Sequence, residues 1–125
     1  MRRITCFAAS LMALGCLGQA PAHASGGADD GPVSIGVIGE GLKVNEVRAL
    51  LDGWEAGARA RVSLWKGDTY VRQVRGWKYT TSKQASGHKF EIATWKINKR
   101  FPHRSKLCVE FEGHPERMPC VTIKR

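Results

Sequence analysis

The last twenty residues constrain the fold more tightly than any other stretch. Leu107, Val109 and Phe111 form one row of an alternating segment, and Cys108, Glu110 and Glu112 form the other. On the return, Val121 and Ile123 are apolar, whereas Cys120, Thr122 and Lys124 have the opposite parity. Setting Cys108 against Cys120 centres a hairpin on residue 114. Glu112 then meets Glu116, Gly113-His114-Pro115 is the loop, and the apolar rows share one face while the cysteines share the other. A disulfide closing a loop of this size is worth roughly 3 kcal/mol.

Whether those thiols oxidise depends on compartment, and the N-terminus speaks to that. Arg2 and Arg3 precede an apolar run from Ile4 to Leu17, and Ala22-His23-Ala24 supplies the small-residue pattern that signal peptidase accepts. Residues 1–24 are therefore predicted to be a signal peptide, with secretion to the extracellular side. A lipoprotein at Cys16 fits less well, because Ala13-Leu14-Gly15 departs from the usual lipobox. Cleavage after Ala24 removes Cys6 and Cys16, leaving one possible pairing in an oxidising compartment.

The remaining chain reads as one domain, 33–125, preceded by a Gly- and Asp-rich flexible leader over 25–32. Val33 to Ile38 is a short β-branched strand. Leu42 to Leu51 fits a helix through Val47, Leu50, Leu51 and Trp54, or two strand pieces with a bulge between Val44 and Val47; Gly53 and Gly57 favour strand. Arg59 to Leu64 alternates strictly, with Ala60, Val62 and Leu64 inward and the arginines outward. Tyr70 to Tyr79 is extended but irregular, and Thr80 to Gly87 reads as polar loop. Phe90 to Thr94 alternates again, with a bulge expected near Trp95 because Ile97 falls on the parity opposite Phe90 and Ile92. Six or seven short strands at roughly ten-residue spacing predict an all-β chain, a small antiparallel immunoglobulin-like β-sandwich with one disulfide.

Catalytic and metal-binding patterns are sparse. His88, His103 and His114 stand in no ligand spacing. His114-Pro115-Glu116 with Pro119-Cys120 resembles part of a zinc-deaminase signature, but Ile123 occupies the place of the second cysteine. No serine stands in G-x-S-x-G, and the glycines of 36–41 lack the Lys-Ser/Thr of a phosphate loop. Glu110, Glu112 and Glu116 are read as a solvated strand face with Lys106 and Arg117. The chain is expected to be a monomer, neither an enzyme nor a cofactor carrier.

Charge points to binding instead. The whole chain carries 20 Lys+Arg against 11 Asp+Glu, a formal +9. Residues 59–106 concentrate this, with thirteen basic and two acidic residues. Three Trp-Lys pairs lie in that stretch: Trp65-Lys66, Trp77-Lys78 and Trp95-Lys96. Neighbouring strand residues face opposite ways, so each pair is either a core indole beside a surface lysine or an exposed indole beside cations. The parity of Trp65 follows Arg59, Arg61 and Ser63 and favours exposure. A basic, aromatic surface of Arg59, Arg61, Trp65, Lys66, Trp77, Lys78, Tyr79 and Lys96 is therefore expected to bind an anionic surface polymer or an extracellular protein; nucleic acid is the less favoured partner.

Two resemblances extend this. Leu-Lys-Val-Asn-Glu-Val-Arg (42–48), Arg-Val-Ser-Leu-Trp (61–65) and Leu-Cys-Val-Glu-Phe (107–111) make the run from Leu42 to Ile123 similar to small secreted proteins of Streptomyces-type actinobacteria. That resemblance implies an exported domain without implying an activity. Trp77-Lys78-Tyr79 resembles the Trp-Arg-Tyr loop with which tendamistat-type inhibitors plug α-amylase, with lysine in place of arginine and no flanking cysteine. It implies a second function, inhibition of an extracellular hydrolase.

Overall fold

The computed structural model describes residues 25–125, so the predicted signal segment, with Cys6 and Cys16, lies outside the described residues. Nine strands follow in order: β1 (Gly26–Asp30), β2 (Val33–Glu40), β3 (Lys43–Asp52), β4 (Arg59–Lys66), β5 (Thr69–Tyr79), β6 (Thr81–Ala85), β7 (His88–Arg100), β8 (Ser105–Phe111) and β9 (Cys120–Ile123). They form a five-stranded sheet, β1-β2-β3-β7-β6, and a four-stranded sheet, β5-β4-β8-β9, and every pairing is antiparallel. From β2 onward this is the immunoglobulin-like Greek-key order, with β2-β3-β7-β6 facing β5-β4-β8-β9.

The core lies between the sheets, where the alternating inner rows meet. Val33, Ile35 and Val37 of β2 and Val47, Ala49 and Leu51 of β3 face Ala60, Val62 and Leu64 of β4, Leu107, Val109 and Phe111 of β8, and Val121 and Ile123 of β9. Residues 43–52 are strand, and the expected bulge is present: Val44 and Val47 are both buried because the register against β2 slips between Ile38 and Gly39.

Both strands beyond the expected six or seven lie at sheet edges. The supposed leader is β1, paired residue for residue with β2 from Gly26↔Val37 to Asp30↔Val33. The supposed loop 80–87 contains β6, joined to β7 by the two-residue turn Ser86-Gly87, whose φ angles of 51° and 78° are those of a hairpin turn. Every β6 residue is exposed. An edge strand that contributes almost nothing to the core has no apolar alternation to reveal it.

Strand β7 keeps one alternation from Phe90 through Ile97, past the bulge expected near Trp95. Glu91, Ala93, Trp95 and Ile97 face inward, whereas Phe90, Ile92 and Thr94 are half-covered on the outer face. The irregularity comes later, at Asn98 (φ 51°), so Trp95 and Ile97 share one row. A buried carboxylate in the inner row is tolerated because its oxygens are satisfied. Thr80 Oγ1 donates to Glu91 Oε1 at 2.6 Å, and Ser82 Oγ and the Glu55 N–H donate to Oε2 at 2.6 and 3.0 Å. Burial alone would raise the Glu91 pKa, but the hydrogen bonds from Ser82, Thr80 and Glu55 outweigh it and hold the carboxyl below its ordinary value of 4.5.

The last hairpin has the expected register. Cys108 pairs with Cys120, Leu107 with Val121 and Lys106 with Thr122, and Cys108 and Cys120 are disulfide-bonded. The expected Glu112–Glu116 pairing does not form. Glu112 N instead donates to Arg59 O at 2.9 Å, and β9 begins only after Pro119. The longer connection from Glu112 to Pro119 is tied to β1, where Asp30 accepts from Met118 N at 3.1 Å and from Arg117 Nη1 at 3.3 Å.

Two outcomes follow. A Cys108→Ala/Cys120→Ala variant is expected to lose about 3 kcal/mol in urea unfolding with an intact core spectrum. Glu91→Gln is expected to lose about 1–3 kcal/mol at neutral pH. Because the folded-state pKa of Glu91 is lowered, its contribution is present above the ordinary carboxylate range and is lost as pH falls through the folded value. The difference between wild type and Glu91→Gln should therefore shrink below about pH 4 in parallel melts.

Candidate functional site

The outer face of the four-stranded sheet concentrates the chemistry-bearing side chains. In β4 the row opposite the core is Arg59, Arg61, Ser63 and Trp65. Strand β8 sets Glu110 against Arg61, Cys108 against Ser63 and Lys106 against Trp65. Arg59 forks onto Glu112, with Nε donating to Oε1 at 2.9 Å and Nη2 to Oε2 at 2.5 Å. Arg61 Nε donates to Glu110 Oε1 at 3.0 Å. The Arg59 hydrogen bond holds the Glu112 carboxyl below its ordinary value, and the Glu112 hydrogen bond raises Arg59 further above its own.

On the other side of β4, strand β5 brings rings over these cations. The Arg61 guanidinium lies 4.6 Å from the Trp77 ring centroid; that of Arg59 lies 5.5 Å from Trp77 and 5.7 Å from Tyr79. Each guanidinium is thus held between aromatic faces and a carboxylate, a geometry that fixes ring and cation together. Further along β4, Trp65 meets Tyr70 edge-on at 5.6 Å, and the Trp65 indole N–H donates to Ser63 Oγ at 2.9 Å. Gln73, Glu110 and Met118 complete a shallow depression of about 100 Å³ between Arg61 and Tyr70.

Tyr70 reaches this face through irregularity in β5. The β4–β5 register shifts three times, so Arg59 faces Tyr79 at one end whereas Trp65 faces Tyr70 at the other. Without those extra residues Tyr70, of even number, would lie on the side opposite Trp77 and Tyr79.

Five of the eight sequence-predicted surface residues therefore come together: Arg59, Arg61, Trp65, Trp77 and Tyr79. Lys78 points the other way, with Nζ 6.0 Å from the Trp95 ring centroid and donating to Thr94 O at 2.5 Å. The Trp77-Lys78-Tyr79 triplet is thus presented from a strand, with its cation turned away from its two rings. Lys66 ends β4 at one tip of the sandwich. Lys96 is on the opposite sheet, across from Glu46, beside a Trp95 that is buried in the core. The three Trp-Lys pairs thus divide, one indole in the core and two on the outer face.

Tyr70, Gln73 and Met118 were missed in the sequence, as were the true partners of Glu110 and Glu112. The expected partners were Lys106 and Arg117, but Arg117 pairs with Asp30 instead, and Glu110 and Glu112 pair with Arg61 and Arg59. Outside the face, Trp54 is exposed in the β3–β4 connection, its indole N–H donating to Lys83 O at 2.9 Å. Among the described residues, no group of three or more His, Cys, Asp and Glu side chains is placed to hold a metal ion. No helix among them is long and apolar enough to cross a membrane. Comparison with protein-family models, curated proteins and solved structures finds no match for the chain.

The edge contact between Trp65 and Tyr70 has an optical consequence. In a Trp54→Phe/Trp77→Phe background, Tyr70→Ala should shift the remaining emission to the red and raise its acrylamide quenching, through exposure of Trp65. An unchanged spectrum would mean that Tyr70 does not cover the indole.

Proposed function

We propose that the protein is an exported, non-catalytic binding protein whose ligand surface is the outer face of the four-stranded sheet. The observation that carries this reading is a set of four rings on one face beside a shallow depression, with Trp77 and Tyr79 against the paired arginines and Trp65 and Tyr70 edge-on to each other. Rings whose orientation is fixed before binding lose little entropy when a ligand covers them, which suits recognition. Tyr79, Tyr70 and Trp77 are 68%, 52% and 36% exposed, so much of that area is open to a partner.

The pairing of Arg59 and Arg61 with Glu112 and Glu110 changes what the face recognises. Two of the cations expected to attract a polyanion are neutralised by adjacent carboxylates. Attraction here rests on ring stacking and on hydrogen bonds to Ser63, Gln73 and the remaining guanidinium donors, with net charge secondary. A sugar-bearing polymer of the cell surface fits that chemistry, since a pyranose ring offers C–H faces to stack and hydroxyls to bond. Export rests on the N-terminal pattern of residues 1–24 and agrees with the disulfide.

Affinity electrophoresis of the disulfide-bonded protein through gels containing cell-wall polysaccharides tests the reading. Wild type is expected to be retarded, with retardation persisting in high salt. Trp77→Ala and Tyr70→Ala should each weaken it about tenfold, whereas Trp54→Ala should not. Equal retardation of wild type and both face variants would remove the proposal.

A further inference from the structure

One tip of the sandwich collects cations that the aromatic face does not use. The β4–β5 turn, the β7–β8 connection and the end of β9 meet there. Lys66 closes β4 opposite Thr69, Arg104 N donates to Ile123 O at 2.6 Å, and Arg125 N lies 3.2 Å from His103 Nδ1. Lys124 lies between those last two anchors in sequence. None of Lys66, Arg104, Lys124 or Arg125 forms an ion pair with a carboxylate among the described residues; the turn's own Asp68 forms none either. This contrasts with Arg59, Arg61 and Arg117, each of which is paired.

Two further observations set this tip apart. His103 has a donor at each ring nitrogen, the Arg125 N–H at Nδ1 and Arg104 Nε at 3.3 Å from Nε2. A neutral imidazole accepts at only one nitrogen, so in either tautomer one contact sets donor against donor. Arg104 also has a φ of 71°, a left-handed backbone that disfavours a side chain and is ordinarily given to glycine or asparagine. The field of the cluster is felt at its centre: burial, then Arg125, Arg104, Lys124 and Lys66, hold His103 below its ordinary pKa of 6.5.

We propose that this tip is a second binding site, separate from the aromatic face, for a flexible chain of phosphate groups. Phosphate oxygens supply the acceptor that His103 and Arg104 lack, Arg104 offers a fork, and Lys66 and Lys124 act as point charges. The tip of two packed sheets is about 10 Å across, enough for two or three consecutive phosphates of a flexible polymer. A nucleic-acid duplex would need a longer basic track than this tip provides.

Linear inorganic polyphosphate is the probe, titrated calorimetrically into the disulfide-bonded protein at several salt concentrations. The Lys66→Gln/Arg104→Gln/Lys124→Gln variant should bind at least tenfold more weakly, with the slope of log K against log salt smaller by about two. Lys83→Gln/Lys89→Gln/Lys96→Gln removes the same charge elsewhere and should stay within about twofold of wild type. Arg104→Gly separates binding from folding, because glycine relieves the positive φ: thermal stability should hold or rise while affinity falls. Equal losses in the two triple variants would reduce the binding to net charge and overturn the site. Unchanged affinity in Arg104→Gly, or a DNA duplex that binds more tightly than polyphosphate at equal phosphate concentration, would overturn it as well. The aromatic-face variants should leave this titration unaffected, so either site can fail alone.

Discussion

The register of β4 against β8 is the constraint on which both the core and the candidate face depend. Arg61 opposite Glu110 and Val62 opposite Val109 are consecutive pairs of one ladder, pointing to opposite sides of one sheet. The first belongs to the ion-paired outer face and the second to the core. A slip of one residue would set arginine against the core and valine against solvent, so burying β4 and forming the Arg–Glu pairs are the same structural event. The disulfide reinforces it from the other side, since Cys108 lies opposite both Ser63 and Cys120 and fixes β9 on β8.

This dual role explains which elements were legible in the sequence. Strands β4, β8 and β9 alternate because one row is buried, and their facing could be read directly. The β3 bulge was readable because Val44 and Val47 are both apolar across a change of parity. Strands β1 and β6 were not, because edge strands of Gly, Asp, Ser, Lys and Gln carry no apolar row. In β7, Phe90 and Ile92 suggested the inner row, yet Trp95 and Ile97 decide the facing. That choice takes Glu91 inside, where hydroxyls from Thr80 and Ser82, in a segment read as loop, meet it.

The candidate face was half legible for a related reason. The parity of Arg59, Arg61 and Trp65 is local to one strand, and so is that of Glu110 and Glu112. Their pairing depends on which strands neighbour one another, a property of topology that no local pattern encodes. Tyr70 was beyond reach because three register shifts in one β-hairpin place it beside Trp65. Counting cations along residues 59–106 also overstated the charge of the face, since Glu110 and Glu112 come from a part of the chain balanced in charge. The cations at the tip, where turns and strand ends converge, have no such carboxylate beside them among the described residues.

The central claim is that the outer face of the four-stranded sheet is where the protein meets its ligand. The four indole N–H signals of an ¹⁵N-labelled sample report on it separately, because Trp65 and Trp77 belong to the face, Trp95 to the core and Trp54 to the β3–β4 connection, bonded to Lys83 of the other sheet. On titration with soluble cell-wall polysaccharide fragments, the account predicts that the Trp65 and Trp77 signals move together and saturate while those of Trp54 and Trp95 stay in place. Saturable movement confined to Trp54, or binding that leaves both face indoles unmoved, would contradict it.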